Sequence, residues 1–114
     1  PQPILGRNLL GELLDNENIF SVSNPALVNI GATKDFSGFD VLIYHGMSFP
    51  YYADIVDEIR LNGGVTRADL IMKMLLRKRH LAPTHTSASY LAGSRDNLVI
   101  SKVPDFFISG CSLF

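Results

Sequence analysis

The run Val41-Leu42-Ile43-Tyr44-His45-Gly46 limits what this chain can fold into more than any other segment. Apolar and aromatic residues, two of them β-branched, lead directly into a histidine and then a glycine. A short run of this kind reads as a buried strand. It places His45 at the strand's carboxyl end, the edge at which open α/β sheets bind ligands. A neutral imidazole there can ligate a metal, and Gly46 lets the backbone turn away closely. The same histidine also has a plainer reading as a hydrogen-bonded structural residue. The pattern alone leaves both readings open.

The flanking segments supply the rest of an α/β domain. Ile4 to Leu14 places leucines at helical spacing, although Gly6 and Gly11 weaken that helix by about 1 kcal/mol each. Ile19 to Ser23 reads as a strand, Asn24-Pro25 as a turn and Ala26 to Ile30 as a second strand. Gly31 to Gly38 is a loop, and Phe39 to His45 is the central strand. Beyond Gly46, Tyr52, Ile55, Val56 and Ile59 share one helical face, and Asn62-Gly63-Gly64 stops it. Thr66-Arg67-Ala68-Asp69 has the spacing of a capping box, with Asp at its last position. The helix that follows buries Leu70, Ile71, Met74 and Leu75 and ends in Arg77-Lys78-Arg79-His80. Leu81 to Asn97 is loop-like, and Leu98 to Ile100 and Phe106 to Ser109 read as two short strands. Strands, two helices and strands again make one layered α/β domain, spanning 1–114, whose sheet is incomplete within this chain.

Composition narrows the function classes. The chain has 114 residues, of which 46% are hydrophobic, enough for a core and too many for a disordered segment. Ten basic against eleven acidic residues give a net charge of -1, so no global field draws the chain to nucleic acid or anionic lipid. Any such binding needs a local patch or a bound metal. Cys111 is the one cysteine, which excludes an internal disulfide and offers no sign of an oxidising compartment. No apolar run reaches the length of a membrane span, and no signal peptide is visible, so a cytoplasmic location is expected. The chain starts Pro1-Gln2-Pro3 and closes on Cys111-Ser112-Leu113-Phe114. Both ends read as cut from something longer.

Few residues carry recognisable chemistry. His45, His80 and His85 share no metal-ligand spacing. His80 closes a basic helix end, where a structural or dipole role is expected. His85 receives no role. Arg77, Lys78 and Arg79 read first as a solvated helix end and second as a phosphate-contacting surface. There is no Gly-x-Ser-x-Gly elbow and no phosphate-binding glycine loop, and Cys111 has no evident activating partner.

Several ordered segments together resemble one family. They are Val22-Ser23-Asn24-Pro25-Ala26-Leu27-Val28, then Gly38-Phe39-Asp40-Val41-Leu42-Ile43-Tyr44-His45-Gly46 with Ser48-Phe49, then Arg67-Ala68-Asp69-Leu70-Ile71-Met72. Leu76-Arg77-Lys78-Arg79-His80-Leu81-Ala82-Pro83-Thr84, Leu98-Val99-Ile100 and Val103-Pro104-Asp105-Phe106-Phe107-Ile108-Ser109-Gly110 complete the set. In this order they resemble the small subunits of archaeal family D DNA polymerases, in the C-terminal calcineurin-like phosphoesterase domain. The resemblance implies a metallophosphoesterase fold, a β-sandwich flanked by helices, of which this chain holds a part. It also implies a 3′-to-5′ exonuclease that removes mismatched nucleotides during replication, with DNA and a large polymerising subunit as partners. Two divalent cations, commonly manganese, are implied at the sheet edge, with His45 matching the lone strand-end histidine among their ligands.

The departures from the family pattern are equally specific. Its Asp-x-His, Gly-Asp and Gly-Asn-His-Asp elements are absent here, and Pro1-Gln2-Pro3 corresponds to a region just after them. Gly110 matches the glycine of a terminal Gly-His-x-His, whereas Cys111 and Leu113 occupy its histidine positions. The isolated chain is therefore expected to be catalytically silent, because one histidine cannot hold two hydrated cations. The alternative is a non-catalytic assembly subunit of a replicative polymerase with a decayed phosphoesterase site. Cys111 and Leu113 favour it; His45 favours the active parent.

Overall fold

The computed structural model describes Gly11, residues 15–84 and residues 95–110. The expected helix at Ile4–Leu14 lies almost wholly outside the described residues, as do His85, Cys111 and Leu113.

Three strands form a mixed sheet in the order β1-β2-β3: β1 is Ala26–Ile30, β2 is Phe39–Tyr44 and β3 is Phe106–Ser109. The first pair is antiparallel, with Val28 opposite Val41 and Ile30 opposite Phe39. The second is parallel, with Val41 opposite Phe106 and Tyr44 opposite Ser109. Gly38 makes the first turn possible. It has φ 83°, and a Cβ there would run into the Asn29 side chain and the Ile30 carbonyl.

Successive residues of β2 face opposite ways, which divides the sheet's work. Leu42 and Tyr44 point to one side and enter the core with Phe49, Tyr52, Ala53, Ile59, Ile71 and Leu75. These come from three helices: α1 (Phe49–Ile55), α2 (Asp57–Arg60) and α3 (Ala68–Lys78). The other side carries Ile30, Phe39, Ile43, Phe106 and Ile108, each 40–54% exposed. There Phe36, Phe39 and Phe106 stack edge to face in series, with centroids 5.2 and 5.7 Å apart.

Four expectations need correction. Ile19–Ser23 forms no strand: it has the composition of one, but it joins no ladder among the described residues and Phe20 stays 80% exposed. Leu98–Ile100 is only an isolated antiparallel bridge, Val99 to His80, although Leu98 and Ile100 are buried. The helix expected through Ile59 breaks at Val56, which is extended at φ -90°, ψ 112°. Its N–H bonds the Tyr52 carbonyl to close α1, while its own carbonyl accepts from Ile59 and Arg60 to open α2. The capping box does not form either. Thr66 Oγ1 donates back to the Gly63 carbonyl, and Asp69 is held by the Arg67 guanidinium in two bonds of 2.9 Å. Arg67 therefore starts α3 without a side-chain cap.

One polar cluster ties the sheet's edge together. Asn29 Nδ2 donates to Asp40 Oδ1 at 2.9 Å, and Lys102 Nζ lies 2.6 Å from Asp40 Oδ2. The Asn29 amide, and after it Lys102, hold the Asp40 carboxyl below the usual carboxylate range. A carboxylate more acidic when folded stabilises the fold above its ordinary pKa of about 4 and loses that effect as pH falls through the lowered value. An Asp40→Asn chain should therefore show a flatter loss of stability between about pH 6 and pH 3 in denaturant titrations. An unchanged slope would remove Asp40 from the acid response.

Candidate functional site

The parallel pairing of β2 and β3 brings two carboxyl ends to one edge. Tyr44 and Ser109 are register partners there. His45 and Gly110, the next residues of their chains, leave the sheet at that edge together. Sequence reasoning put His45 at the end of this strand, and the structure places it there, one residue past Tyr44. What could not be read was that Phe106–Ser109 would lie beside it and parallel to it. The similar composition of the two segments carries no pairing information.

The way His45 is held bears on its two readings. Its backbone N–H donates to Asn24 Oδ1 at 3.0 Å, so the main chain, not the ring, anchors this residue. Gly46 follows in the left-handed region at φ 91° and turns the chain into α1 through its carbonyl, which accepts from Phe49 N–H at 3.0 Å. The residue is exposed, and among the described residues its imidazole makes no hydrogen bond or ion pair. A structural histidine normally spends its ring nitrogens on partners; among the described residues this one spends none. Asn24, missed as a site residue, could have been noticed as an amide side chain beside a proline turn.

At the same edge Ser109 Oγ is buried and has no hydrogen-bond partner among the described residues. Just inside it lies a satisfied node. Tyr44 Oη donates to Ser48 Oγ at 3.1 Å, and Ser48 Oγ donates to the Leu81 carbonyl at 2.6 Å. Burial raises the Tyr44 phenol above its usual range, partly offset by its bonds with Ser48. These groups set the strand end rigidly but offer no open chemistry.

The described residues contain no group of three or more His, Cys, Asp or Glu able to enclose a metal. His45 alone does not make a metal centre, so a cation at this edge would need donors from elsewhere.

The other histidine in view has a different role. His80 Nδ1 accepts the Ala82 N–H at 2.9 Å, which leaves the proton on Nε2, 2.7 Å from Asp96 Oδ2. This contact, first among its causes, lowers the Asp96 pKa. His80 is thus a clamp between the end of α3 and the 96–100 segment, in keeping with the expected structural role. Arg79 belongs to the same clamp. It adopts the left-handed conformation at φ 56°, and its guanidinium donates to the Ile100 and Ser101 carbonyls at 3.0 and 3.2 Å. Arg77 and Lys78 remain exposed on α3.

In class this is a mixed-sheet α/β segment with an exposed imidazole at the carboxyl ends of parallel strands, the usual ligand edge of such sheets. Comparison with known proteins gives its relatives. Over 111 residues, 96% of the chain, it is 39% identical to the DNA polymerase II small subunit of Methanothermobacter thermautotrophicus and 36% identical to that of Methanocaldococcus jannaschii. It is 40% identical over 96 residues to the subunit of Archaeoglobus fulgidus. Over nearly its whole length the chain is thus similar to one part of archaeal DNA polymerase II small subunits. It spans 21%, 17% and 17% of the lengths of these three relatives. No family model matches it, and no solved structure matches it.

Proposed function

We propose that the chain is part of the small subunit of an archaeal replicative DNA polymerase and that the intact subunit is a manganese-dependent 3′-to-5′ exodeoxyribonuclease that proofreads. The observation that carries this reading is the similarity to small subunits over 96% of the chain. The subunit works with a large polymerising subunit and DNA in the cytoplasm. No helix among the described residues is long and apolar enough to cross a membrane.

Two structural features support the finer parts of the reading. The row Ile30, Phe39, Ile43, Phe106 and Ile108 leaves one sheet face apolar and exposed. A β-sandwich of the calcineurin-like kind packs a second sheet over such a face, about 10 Å away. His45 stands exposed at a strand end, which supports reading it as the counterpart of that family's lone metal-ligating histidine. A pair of cations there would supply a hydroxide nucleophile and neutralise phosphoryl charge. His45 would contribute one imidazole, and every other ligand would come from outside the described residues.

The test uses the full-length small subunit with its large subunit on a primer carrying a 3′-terminal mismatch. Manganese-dependent release of the mismatched nucleotide, abolished by a chelator, is expected. Polymerase activity without any such release would establish the assembly role instead. The 114-residue chain alone should bind manganese no more tightly than its His45→Ala form in calorimetry.

A further inference from the structure

Beside its fully buried residues, α3 carries a second face built differently from an ordinary solvated helix face. Ile71 and Leu75 are fully buried, but Leu70 and Met74, one turn apart, are only partly covered. With Val56 and Ile59 they floor a groove between α2 and α3 of about 550 Å³. Arg67, Lys73, Arg77 and Lys78 rim it along α3, and Glu58 and Asn62 rim it along α2. Arg67 is paired with Asp69. Lys73, Arg77 and Lys78 form no ion pair among the described residues.

We propose that this groove docks an acidic amphipathic segment of a partner protein, its apolar side chains on Leu70 and Met74 and its carboxylates against Lys73, Arg77 and Lys78. An apolar floor within a cavity of this size suits a few aliphatic side chains entering from one face of a helix. Methionine adapts to such anchors because its thioether is flexible and polarisable. The unpaired cations on one rim select carboxylates on one side of the ligand. Glu58 on the opposite rim disfavours a ligand that is anionic all round. That argues against a nucleic-acid backbone, which would meet Glu58 and gain nothing from Leu70 or Met74. The inference is independent of the nuclease reading and uses no residue near His45.

Fluorescence anisotropy on the full-length small subunit tests it. The probe is a labelled peptide of about 16 residues with leucines at helical spacing on one face and glutamates on the other. A scrambled peptide of the same composition and a labelled DNA duplex serve as comparisons. The patterned peptide should bind saturably and more tightly than either. Lys73→Glu with Lys78→Glu should weaken it roughly tenfold or more. Lys34→Glu, a single charge reversal in the 31–38 loop, should change affinity by less than about twofold, since it acts only through net charge. Circular dichroism should superimpose for all forms, because every altered lysine is exposed. Equal binding of the scrambled peptide would overturn the proposal, as would stronger binding of the duplex or no binding at all.

Discussion

Replacing His45 by alanine in the full-length small subunit should reduce manganese-dependent exonuclease turnover at least roughly 100-fold, because metal sites respond strongly even to loss of groups that merely support a ligand. Its melting temperature should stay within about 2 °C of the parent's. The second half of the expectation comes from this structure. The strand end is anchored through the His45 backbone N–H on Asn24, and the exposed ring has no partner among the described residues. Truncating it should therefore cost little folding energy. Activity and stability thus separate the two readings of this histidine. A large drop in melting temperature would make it structural, and unchanged turnover would remove it from the metal site. Asn24→Ala supplies the converse case. It deletes the acceptor for that N–H and should lower both readouts modestly, by loosening the loop that carries the imidazole.

Phe49→Ala should be the most damaging single change to the fold, destabilising it by about 3–5 kcal/mol. Phe49 has no exposed surface. Its ring stacks edge to face on Tyr44 with centroids 5.9 Å apart, where the helical layer meets the central strand. The core it leaves is thin, because among the described residues only one face of the sheet is covered by helices, so neighbouring groups cannot readily collapse into the space. That is a large share of the roughly 5–15 kcal/mol by which a domain is usually stable. The expected observation is a broad, non-cooperative denaturant transition in place of a sigmoidal one. Phe49→Leu, which keeps most of the volume, should restore cooperativity. A cooperative transition for Phe49→Ala, shifted by under about 1 kcal/mol, would show that the core is held elsewhere.

Local pattern carried much of this architecture. β1 and β3 have the bounds read from the sequence, Ala26–Ile30 and Phe106–Ser109, and β2 stops one residue before His45. Of Leu70, Ile71, Met74 and Leu75, which their apolar spacing put on the buried side of α3, Ile71 and Leu75 are fully buried and Leu70 and Met74 only partly. Each of these depends on side-chain period, a property of neighbouring residues. The failures share a different cause. Ile19–Ser23 and Leu98–Ile100 have strand composition, yet a strand exists only where another backbone offers a ladder, and composition says nothing of that. The use of Arg79 as a carbonyl clamp likewise depends on contacts with a distant segment, whereas the break at Val56 is held by bonds to Tyr52, Ile59 and Arg60 on either side of it.

The candidate site divides along the same line. That an imidazole would end an inner strand was written in Val41–Gly46, because a buried run followed by a glycine turn leaves few other geometries. The parallel partner beside it, the Asn24 amide that holds its main chain, and the cation-rimmed trough on α3 arose only when segments remote in the chain came together. Register, hydrogen-bond partnership and concavity are relations between residues, and no single stretch of residues contains them.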